Sequence, residues 1–391
     1  MNLKKYLEKD HSELRSVVKK FANDQLFSTS SERDRCENFD ETIFLKMKNI
    51  GLLGVLVPEC YGGLNLDILA SMIVHEEIAY ADPSIALSYL AHCILCTNNI
   101  VINASEKQKQ DLVPKLCDGI HIGAMAMSEA DAGSDIMSMN TKVRKVNNKY
   151  HLNGSKMWIT NGMINKSKLA CHILYLYAKN EDTNMISSFV IENTCPGFYV
   201  GQKISNKLGM RASSTAELVF DDCVLSEDNI VSEGSSIRNM MRNLQIERLA
   251  LAAIGLGIAK FSLNTMIKYS RHRKTFSNFL HNYGQIQRFI ANSYSEYMAC
   301  KSYLYATAKE MKKDDFNFRV DSDSIKLVCA KLSKKVSDYA IQTLGGYGYI
   351  AEYHVERFWR DAKLLEIGGG TNEILQKNIT RDLVKNENNT L

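Results

Sequence analysis

The chain has 391 residues, of which 45% are hydrophobic and 24% charged, and its 48 basic and 44 acidic side chains give a net charge of +4. This near-balance, without a basic tail, gives little support for a nucleic-acid partner. Ten cysteines scattered between Cys36 and Cys329 indicate free thiols rather than a disulfide framework.

Membrane and targeting signals are weak. The longest apolar run, residues 249–259, is too short to span a bilayer, and the start of the chain is charged and has no apolar signal core. We therefore expect no membrane partner and no targeting segment. The expected location is the cytoplasm, as for a bacterial protein, or the mitochondrial matrix as a mature form.

Residues 1–120 are predicted to form an α-helical domain. Val18 and Phe21 belong to an apolar series at helical spacing. Asp67 is placed to cap a helix, and Ser105 begins the pattern of a capping box that opens another.

Residues 121–230 are predicted to form an antiparallel β domain. The pair Asn147 and Asn148 separates two short β-rich stretches, which is the pattern of a hairpin turn. Further β-rich stretches lie between turn residues at 173–178, 188–191 and 218–225.

Residues 231–391 return to helical periodicity and are predicted to form the C-terminal α-helical domain. Long helical patterns run over about 285–312 and 324–344. The order of helices, strands and helices excludes a doubly wound sheet, which needs alternating elements. The fold class is therefore α+β with several domains, and the chain has no G-x-G-x-x-G motif for a dinucleotide.

Two segments could approach a flat cofactor. The first, residues 126–135, contains Met127, Ser128, Gly133 and Ser134, and its hydroxyls and exposed amides could donate to a ring or phosphate. A plain polar loop has the same composition.

The second is Trp158 with the two residues that follow it. Trp158 could pack against a planar cofactor ring while a neighbouring hydroxyl donates a hydrogen bond to that ring. Alternatively, Trp158 could be an ordinary residue of the hydrophobic core.

Two glycine-rich segments lie near the end of the chain. Gln342 precedes Gly345 and Gly346, which could expose amides to a pyrophosphate or form a helix C-cap. Residues 368–370 lead into Thr371 and could bind an anion or polar ring edge at a helix N-terminus, or provide only an N-cap.

Taken together, these segments resemble the acyl-CoA dehydrogenase family. Residues 126–138 and 342–361 resemble its two signatures, and the likeness extends over nearly the whole chain. Within the family the isovaleryl-CoA branch is the most similar, on segments 87–92, 122–129, 207–211 and 360–368. The resemblance implies a C-terminal four-helix bundle, a homotetramer, one FAD per subunit, an acyl-CoA substrate and electron transfer to an electron-transfer flavoprotein.

The resemblance also indicates the catalytic base. The reaction needs a carboxylate that removes an α-proton, and many family members carry it in a position where this chain has Gly369. The isovaleryl and long-chain branches place it on the helix that opens the last domain. Glu247, between Ile246 and Arg248, matches that pattern. An exposed, ion-paired helix glutamate would be the ordinary interpretation of Glu247 without the resemblance.

The remaining site residues are also implied by the resemblance. Arg273 matches an arginine that meets the FAD pyrophosphate of a neighbouring subunit. The predicted FAD contacts are Met125, Met127, Ser128, Gly133, Ser134, Trp158, Ile159, Thr160, Arg273, Phe276, Gln342, Gly345, Gly346, Thr371 and Glu373. The predicted substrate contacts are Ser134, Tyr177, Ala178, Leu244, Arg248, Gly369 and Gly370.

Several alternatives stay open at this point. The substrate could be a longer acyl-CoA or a thioester on a carrier protein, the electron acceptor could be O₂, and the chain could be a non-catalytic flavoprotein. Ser277, Gly284 and Gln245 depart from the family pattern near the predicted cofactor and base positions. No metal site is expected, because His92, Cys93 and Cys96 lack a second ligand pair.

Overall fold

The computed structural model describes residues 7–164 and 169–385. The first residues, whose charges argued against a targeting segment, lie outside these ranges. The N-terminal block is helical, as predicted, and its helices are α1 (Lys9–Phe21), α2 (Ser30–Cys36), α3 (Thr42–Lys48), α4 (Ile68–Ala81), α5 (Pro83–Leu90), α6 (Asn99–Asn103) and α7 (Glu106–Cys117).

Both predicted caps in this block are confirmed. The Asp67 side chain accepts a hydrogen bond from the Ala70 amide at the start of α4. Ser105 and Gln108 form the capping box that opens α7. A π-helical segment, Ala91–Asn98, joins α5 to α6. His92 in that segment bonds the Leu116 carbonyl and the Gly123 amide, which is a structural use of this histidine.

The middle block is a mixed sheet. Its strands are β1 (Gly123–Ala126), β2 (Lys142–Val146), β3 (Lys149–Thr160), β4 (Ile173–Asn180), β5 (Ile186–Glu192), β6 (Phe198–Lys203), β7 (Thr215–Leu225) and β8 (Ile230–Ser232). Their order is β6-β7-β3-β2-β4-β5-β8, with β1 added beside β4. The predicted hairpin is confirmed, since Asn147 and Asn148 adopt φ of 48° and 59° between β2 and β3.

The expectation of purely antiparallel pairing needs a correction, because β1 and β2 both run parallel to β4. Parallel neighbours need a long connection. Here β3 and the loops around it lie between these strands in the chain and provide the connection. The other pairs of the sheet, such as β3 with β7 and β4 with β5, are antiparallel.

The C-terminal block consists of long helices. They are α8 (Ser236–His272), α9 (Gly284–Glu310), α10 (Arg319–Leu344), α11 (Gly346–Tyr349), α12 (Val355–Leu364) and α13 (Asn372–Lys385). A small hairpin of β9 (Lys274–Thr275) and β10 (Asn278–Phe279) separates α8 from α9. Both predicted long helices are present, and α10 begins five residues earlier than its apolar pattern suggested.

Three apolar clusters organise the molecule. One combines the N-terminal helices with α8, α9, α10 and α12, so both helical blocks share a core. A second fills one face of the sheet. A third lies between the other face of the sheet, α7 and the start of α8, and it includes Tyr177 and Leu244. The boundaries 1–120, 121–230 and 231–391 stay a prediction.

Two helical stretches, Pro83–Asn103 and Ser236–His272, are long and apolar enough to cross a membrane by length and composition alone. In each, 78% of the apolar window is buried within the described fold. Their apolar residues are therefore used for core packing, which is the placement expected for a helix that is hydrophobic all round in a large protein.

Candidate active site

Glu247 lies in the middle of α8 and is buried. Its relative exposure is 7%, and its Oε2 has no hydrogen-bond partner among the described residues. A Cβ built on Gly369 would lie 3.5 Å from Glu247 Oε1, so the carboxylate faces the backbone at Gly369. The Glu247 carboxylate and the Gly369 backbone, the two positions that the sequence resemblance compares as places for a base, therefore lie side by side.

The surroundings of Glu247 favour a base that titrates near neutrality. Burial raises the pKa of Glu247 to about 7, and the positive charges of Arg248 and Lys326 oppose part of that rise. A buried carboxylate without hydrogen bonds holds its charge at a cost, and an acidic proton presented to it can relieve that cost.

The loop beside Glu247 is held by two cations. Arg248 Nε donates to the Gly369 carbonyl at 3.2 Å, and Lys326 Nζ donates to the Gly370 carbonyl at 2.6 Å. Arg248 also pairs with Asp323, Nη1 to Oδ1, at 2.5 Å. Gly369 and Gly370 adopt φ of 65° and 97°, a region that favours glycine. Arg248, predicted to contact substrate, is thus also used to shape this loop.

The two predicted cofactor segments lie side by side. The Met157 amide donates to the Ser128 carbonyl at 2.9 Å. The fully buried Lys156 donates to the Met127 carbonyl at 2.9 Å and to Glu129 Oε1 at 2.8 Å. Although burial opposes its ionisation, hydrogen bonds from Lys156 and nearby amides lower the pKa of Glu129. A buried ion pair therefore fastens one segment to the other.

Trp158 is the unusual residue of this region. It has a φ of 66°, at an irregularity in the pairing of β3 with β7 between Lys156 and Ile159. Its side chain is 58% exposed, while Ile159 is buried and Thr160 is half-buried. A strained, exposed indole is costly for the isolated chain and points to a functional surface. The alternative that Trp158 is ordinary core is wrong.

The predicted substrate contacts of the sheet lie close to those of α8. Met125 is in parallel register with Tyr175. Tyr177 follows on the same face of β4, in the apolar cluster that also includes Leu244. Ala178 is buried on the opposite face of β4, in the sheet's own core. Ser134 and Gly133 lie in the exposed loop that follows β1.

The other predicted cofactor residues lie on surfaces that their own chain leaves open. Gly345, which ends α10, and Gly346 are exposed, and a Cβ on either would meet nothing within 4 Å. Gln342 is exposed on the last turn of α10. Phe276 is 97% exposed at the tip of the β9–β10 hairpin.

Three further residues were predicted to contact the cofactor. Arg273 is exposed just before β9. Thr371 accepts from the Ile374 amide at 3.2 Å, as an N-cap of α13 would, and Glu373 is exposed in the first turn. The capping interpretation of Thr371 is confirmed, and the cofactor contacts of Thr371 and Glu373 stay a prediction.

Sequence reasoning missed the cations behind these segments. Lys156 and Lys326 are buried at 0% and 1% exposure and bond backbone carbonyls of predicted contact residues. Neither stands in a motif with a chemical signature. The one available signal was Glu129, one of the three acidic residues of segment 126–135, which needs a partner if it is buried.

Three family models match the chain: acyl-CoA dehydrogenase, N-terminal domain, over residues 8–120, middle domain over 124–223, and C-terminal domain over 235–384. The mitochondrial isovaleryl-CoA dehydrogenase of Solanum tuberosum is 40% identical over 381 residues, covering 96% of this chain and 90% of the relative. The mitochondrial 2-methylacyl-CoA dehydrogenase of the same plant is 39% identical over 387 residues, covering 97% and 92%.

Solved structures agree with these matches. The butyryl-CoA dehydrogenase of Megasphaera elsdenii superposes with a TM-score of 0.91 at 31% identity, covering 97% of this chain and 99% of that one. The chain has the three-part fold of FAD-dependent oxidoreductases that act on acyl thioesters. It belongs to the acyl-CoA dehydrogenase family.

The described residues fit a flavin of the kind this family uses. Trp158 offers an exposed aromatic face, and Lys156 fixes the neighbouring segment at the Met127 carbonyl. Gly345 and Gly346 leave backbone uncovered. An exposed ring and unobstructed backbone suit a flat cofactor with a phosphate tail.

Proposed function

We propose that this enzyme removes two hydrogens from Cα and Cβ of a short branched acyl-CoA, such as isovaleryl-CoA, with Glu247 as the base. The observation that carries the proposal is the buried Glu247 carboxylate beside Gly369, whose Oε2 has no hydrogen-bond partner among the described residues. The isovaleryl-CoA and 2-methylacyl-CoA dehydrogenases among the relatives support a branched acyl group.

The described side chains have distinct roles in this proposal. Glu247 accepts the α-proton, and Arg248 and Lys326 hold the Gly369–Gly370 backbone that lines the reacting carbons. Lys156 holds the segment that contains Met127 and Ser128 against the flavin-binding strand. Bound FAD supplies the acceptor for the β-hydride. Leu244 and Tyr177, which share one apolar cluster, contact the substrate in this proposal.

Partners and location form the less specific part of the proposal. We propose electron transfer to an electron-transfer flavoprotein and a homotetramer. Exposed aromatic residues at Phe276, Tyr347 and Tyr349 supply uncovered apolar surface for subunit contacts. The relatives named mitochondrial and the 33%-identical acyl-CoA dehydrogenase of Bacillus subtilis support either a matrix or a bacterial cytoplasmic location.

Anaerobic flavin bleaching tests the function. We expect the purified protein to be yellow and to lose its flavin absorbance fastest with isovaleryl-CoA in a panel that includes butyryl-, isobutyryl-, 2-methylbutyryl- and octanoyl-CoA. A faster reaction with octanoyl-CoA would contradict the short-chain assignment. A colourless protein without thioester affinity would contradict the enzymatic proposal altogether.

The pH dependence tests the base separately. Glu247 must be ionised to accept a proton, and burial raises its pKa to about 7. We therefore expect kcat/KM, which reports the free enzyme, to rise about tenfold per pH unit below 7 and to level off above it. Stopped-flow flavin reduction between pH 5 and 9 measures this. A flat profile from pH 5 upward would mean that a carboxylate of ordinary pKa acts instead.

A further inference from the structure

Lys326 is a buried lysine of α10 that lies close to the candidate base. Its side chain is 1% exposed, and its Nζ donates to the Gly370 carbonyl at 2.6 Å. A Cβ built on the adjacent Gly369 would lie 3.5 Å from Glu247 Oε1, so Lys326 bonds the same short loop that the carboxylate faces. An ammonium group has three donors, and a lysine is rarely buried unless its charge is compensated. The position of Lys326 therefore calls for a negative charge nearby.

Four charged side chains lie together at this point. Arg248 pairs with Asp323, Nη1 to Oδ1 at 2.5 Å, so these two opposite charges compensate each other. Asp323 and Lys326 are three residues apart on α10 and therefore on the same side of that helix. Among the described residues, Arg248 and Lys326 are the charged groups that act on Glu247. With Arg248 already paired, the charge of Lys326 is the one left to compensate Glu247.

Lys326 and Glu247 act on each other without a direct ion pair. Each charge favours the ionised form of the other. Among the described residues, however, the bond of Lys326 Nζ goes to a carbonyl, and Glu247 Oε2 accepts no hydrogen bond. A direct ion pair would occupy an oxygen that has to receive a proton and would strongly lower the pKa of the carboxyl. A positive charge at a greater distance stabilises the carboxylate and leaves that oxygen free.

The two groups are ionised together near neutral pH. Burial raises the pKa of Glu247 to about 7, against the charges of Arg248 and Lys326. Burial lowers the pKa of Lys326 to about 8, and the charge of Arg248 adds to this effect. The carboxylates of Glu247, Asp323 and Glu366 oppose it. Because an acid is ionised above its pKa and a lysine below its own, the pair carries both charges between these values.

We propose that Lys326 is a positioning residue for the base, which holds the loop at Gly370 and supplies the positive charge that keeps Glu247 ionised near neutral pH. The inference rests on the proposed function, in which Glu247 accepts the α-proton. It adds the reason why a buried carboxylate whose Oε2 lacks a hydrogen bond among the described residues is ready to act at pH 7. Lys326 acts on the reaction through Glu247 and the loop.

The test is the pH profile of flavin reduction by isovaleryl-CoA in variants of Lys326. Lys326→Met removes the positive charge, so the ionised form of Glu247 becomes less stable and its pKa rises. We expect the midpoint of kcat/KM to move up by about one pH unit or more, and kcat/KM well below the midpoint to fall about tenfold or more. Lys326→Arg keeps the charge and should keep the midpoint. Lys331→Met, at an exposed position of the same helix, should leave the profile unchanged.

A purely structural role gives a different result. Losing only the bond to the Gly370 carbonyl would lower kcat/KM by the same factor at every pH and leave the midpoint in place. That result in Lys326→Met, or an equal shift of the midpoint in Lys326→Arg, overturns the proposal. Lys326→Gln keeps an N–H donor and loses only the charge, so it should shift the midpoint as well, and it replaces Lys326→Met if that variant does not fold.

A second readout does not depend on turnover. Infrared difference spectra between pH 6 and pH 9 detect carboxyl groups that lose a proton, and the band of Glu247 is the one missing in Glu247→Gln. This assignment is needed because burial also raises the pKa of Asp361 to about 7. In Lys326→Met the Glu247 band should titrate about one pH unit or more higher than in the wild type.

The two readouts separate this inference from the proposed function. A shifted Glu247 band in a protein whose flavin does not bleach with acyl thioesters would retain the role of Lys326 and contradict the dehydrogenase activity. Bleaching in the wild type together with an unshifted band in Lys326→Met would retain the activity and contradict the role of Lys326.

Discussion

Replacing Glu247 with glutamine is expected to slow flavin reduction by about 10²–10⁴-fold, the usual contribution of a positioned base. Glutamine keeps the size of the side chain but cannot accept a proton. Among the described residues the Oε2 of the carboxylate has no hydrogen-bond partner, so the substitution breaks no hydrogen bond at that atom. Thioester affinity should therefore stay within a few-fold of wild type. Anaerobic stopped-flow reduction by isovaleryl-CoA gives the rate, and titration at the flavin band gives the affinity.

The matched control is Glu310→Gln, which makes the same chemical change at an exposed site near the end of α9. It should leave both rate and affinity unchanged. Full activity in Glu247→Gln would remove the base assignment and the proposed mechanism with it. A parallel loss of thioester affinity and rate would instead mean that Glu247 holds the substrate and does not act on its proton.

The base could be found from sequence because the chain has a glycine at one of the two positions where a base is expected and a glutamate at the other. Gly369 cannot abstract a proton, whereas Glu247 can, and Glu247 lies in a helical segment flanked by apolar residues. The structure adds what sequence could not give, namely that the carboxylate lies beside Gly369, since a Cβ built on Gly369 would be 3.5 Å from Glu247 Oε1. Distance between residues more than a hundred positions apart depends on how α8 packs on the final helices, and a linear pattern carries no such information.

Sequence rules that act over a few residues predicted helix caps and turns better than they predicted which strands pair. Asp67, Ser105 and the Asn147–Asn148 turn act through neighbours a few residues away, so each was readable from the chain. The parallel pairing of β1 with β4 joins segments about fifty residues apart and leaves no local signal. Sequence alone also left Trp158 undecided, because its exposure results from an irregularity in strand pairing.

The buried positively charged side chains were the main feature of the site that the sequence did not predict. Lys156 and Lys326 each donate to acceptors that come from distant segments. A lysine or arginine in sequence is expected on the surface, and only the folded chain shows which ones are enclosed. These residues support the positions that the motifs had identified, so the motifs locate the site and the enclosed charges hold it in shape.

Lys156→Met should be the most damaging change outside the base, because it breaks the buried pair with Glu129. Removing one partner of such a pair leaves an uncompensated charge and costs about 3–5 kcal/mol. It also releases the Met127 carbonyl, which Lys156 Nζ holds at 2.9 Å beside the predicted flavin contacts. We expect lower stability in denaturant unfolding and less flavin per chain after purification. Lys149→Met, an exposed site on the same strand, should change neither.

A second substitution separates the charge from the packing. In Lys156→Met/Glu129→Leu both charges are gone, and apolar side chains of similar size fill the space, so most of the stability should return. The flavin content should recover less, because Lys156 no longer donates to Met127 and Glu129 no longer accepts from the Asn140 and Thr141 amides. If the double variant recovers flavin as fully as stability, the pair contributes to folding alone. If Lys156→Met keeps normal stability, the Asn140 and Thr141 amides compensate the buried charge of Glu129 without Lys156, and the account of how the two segments are joined is wrong.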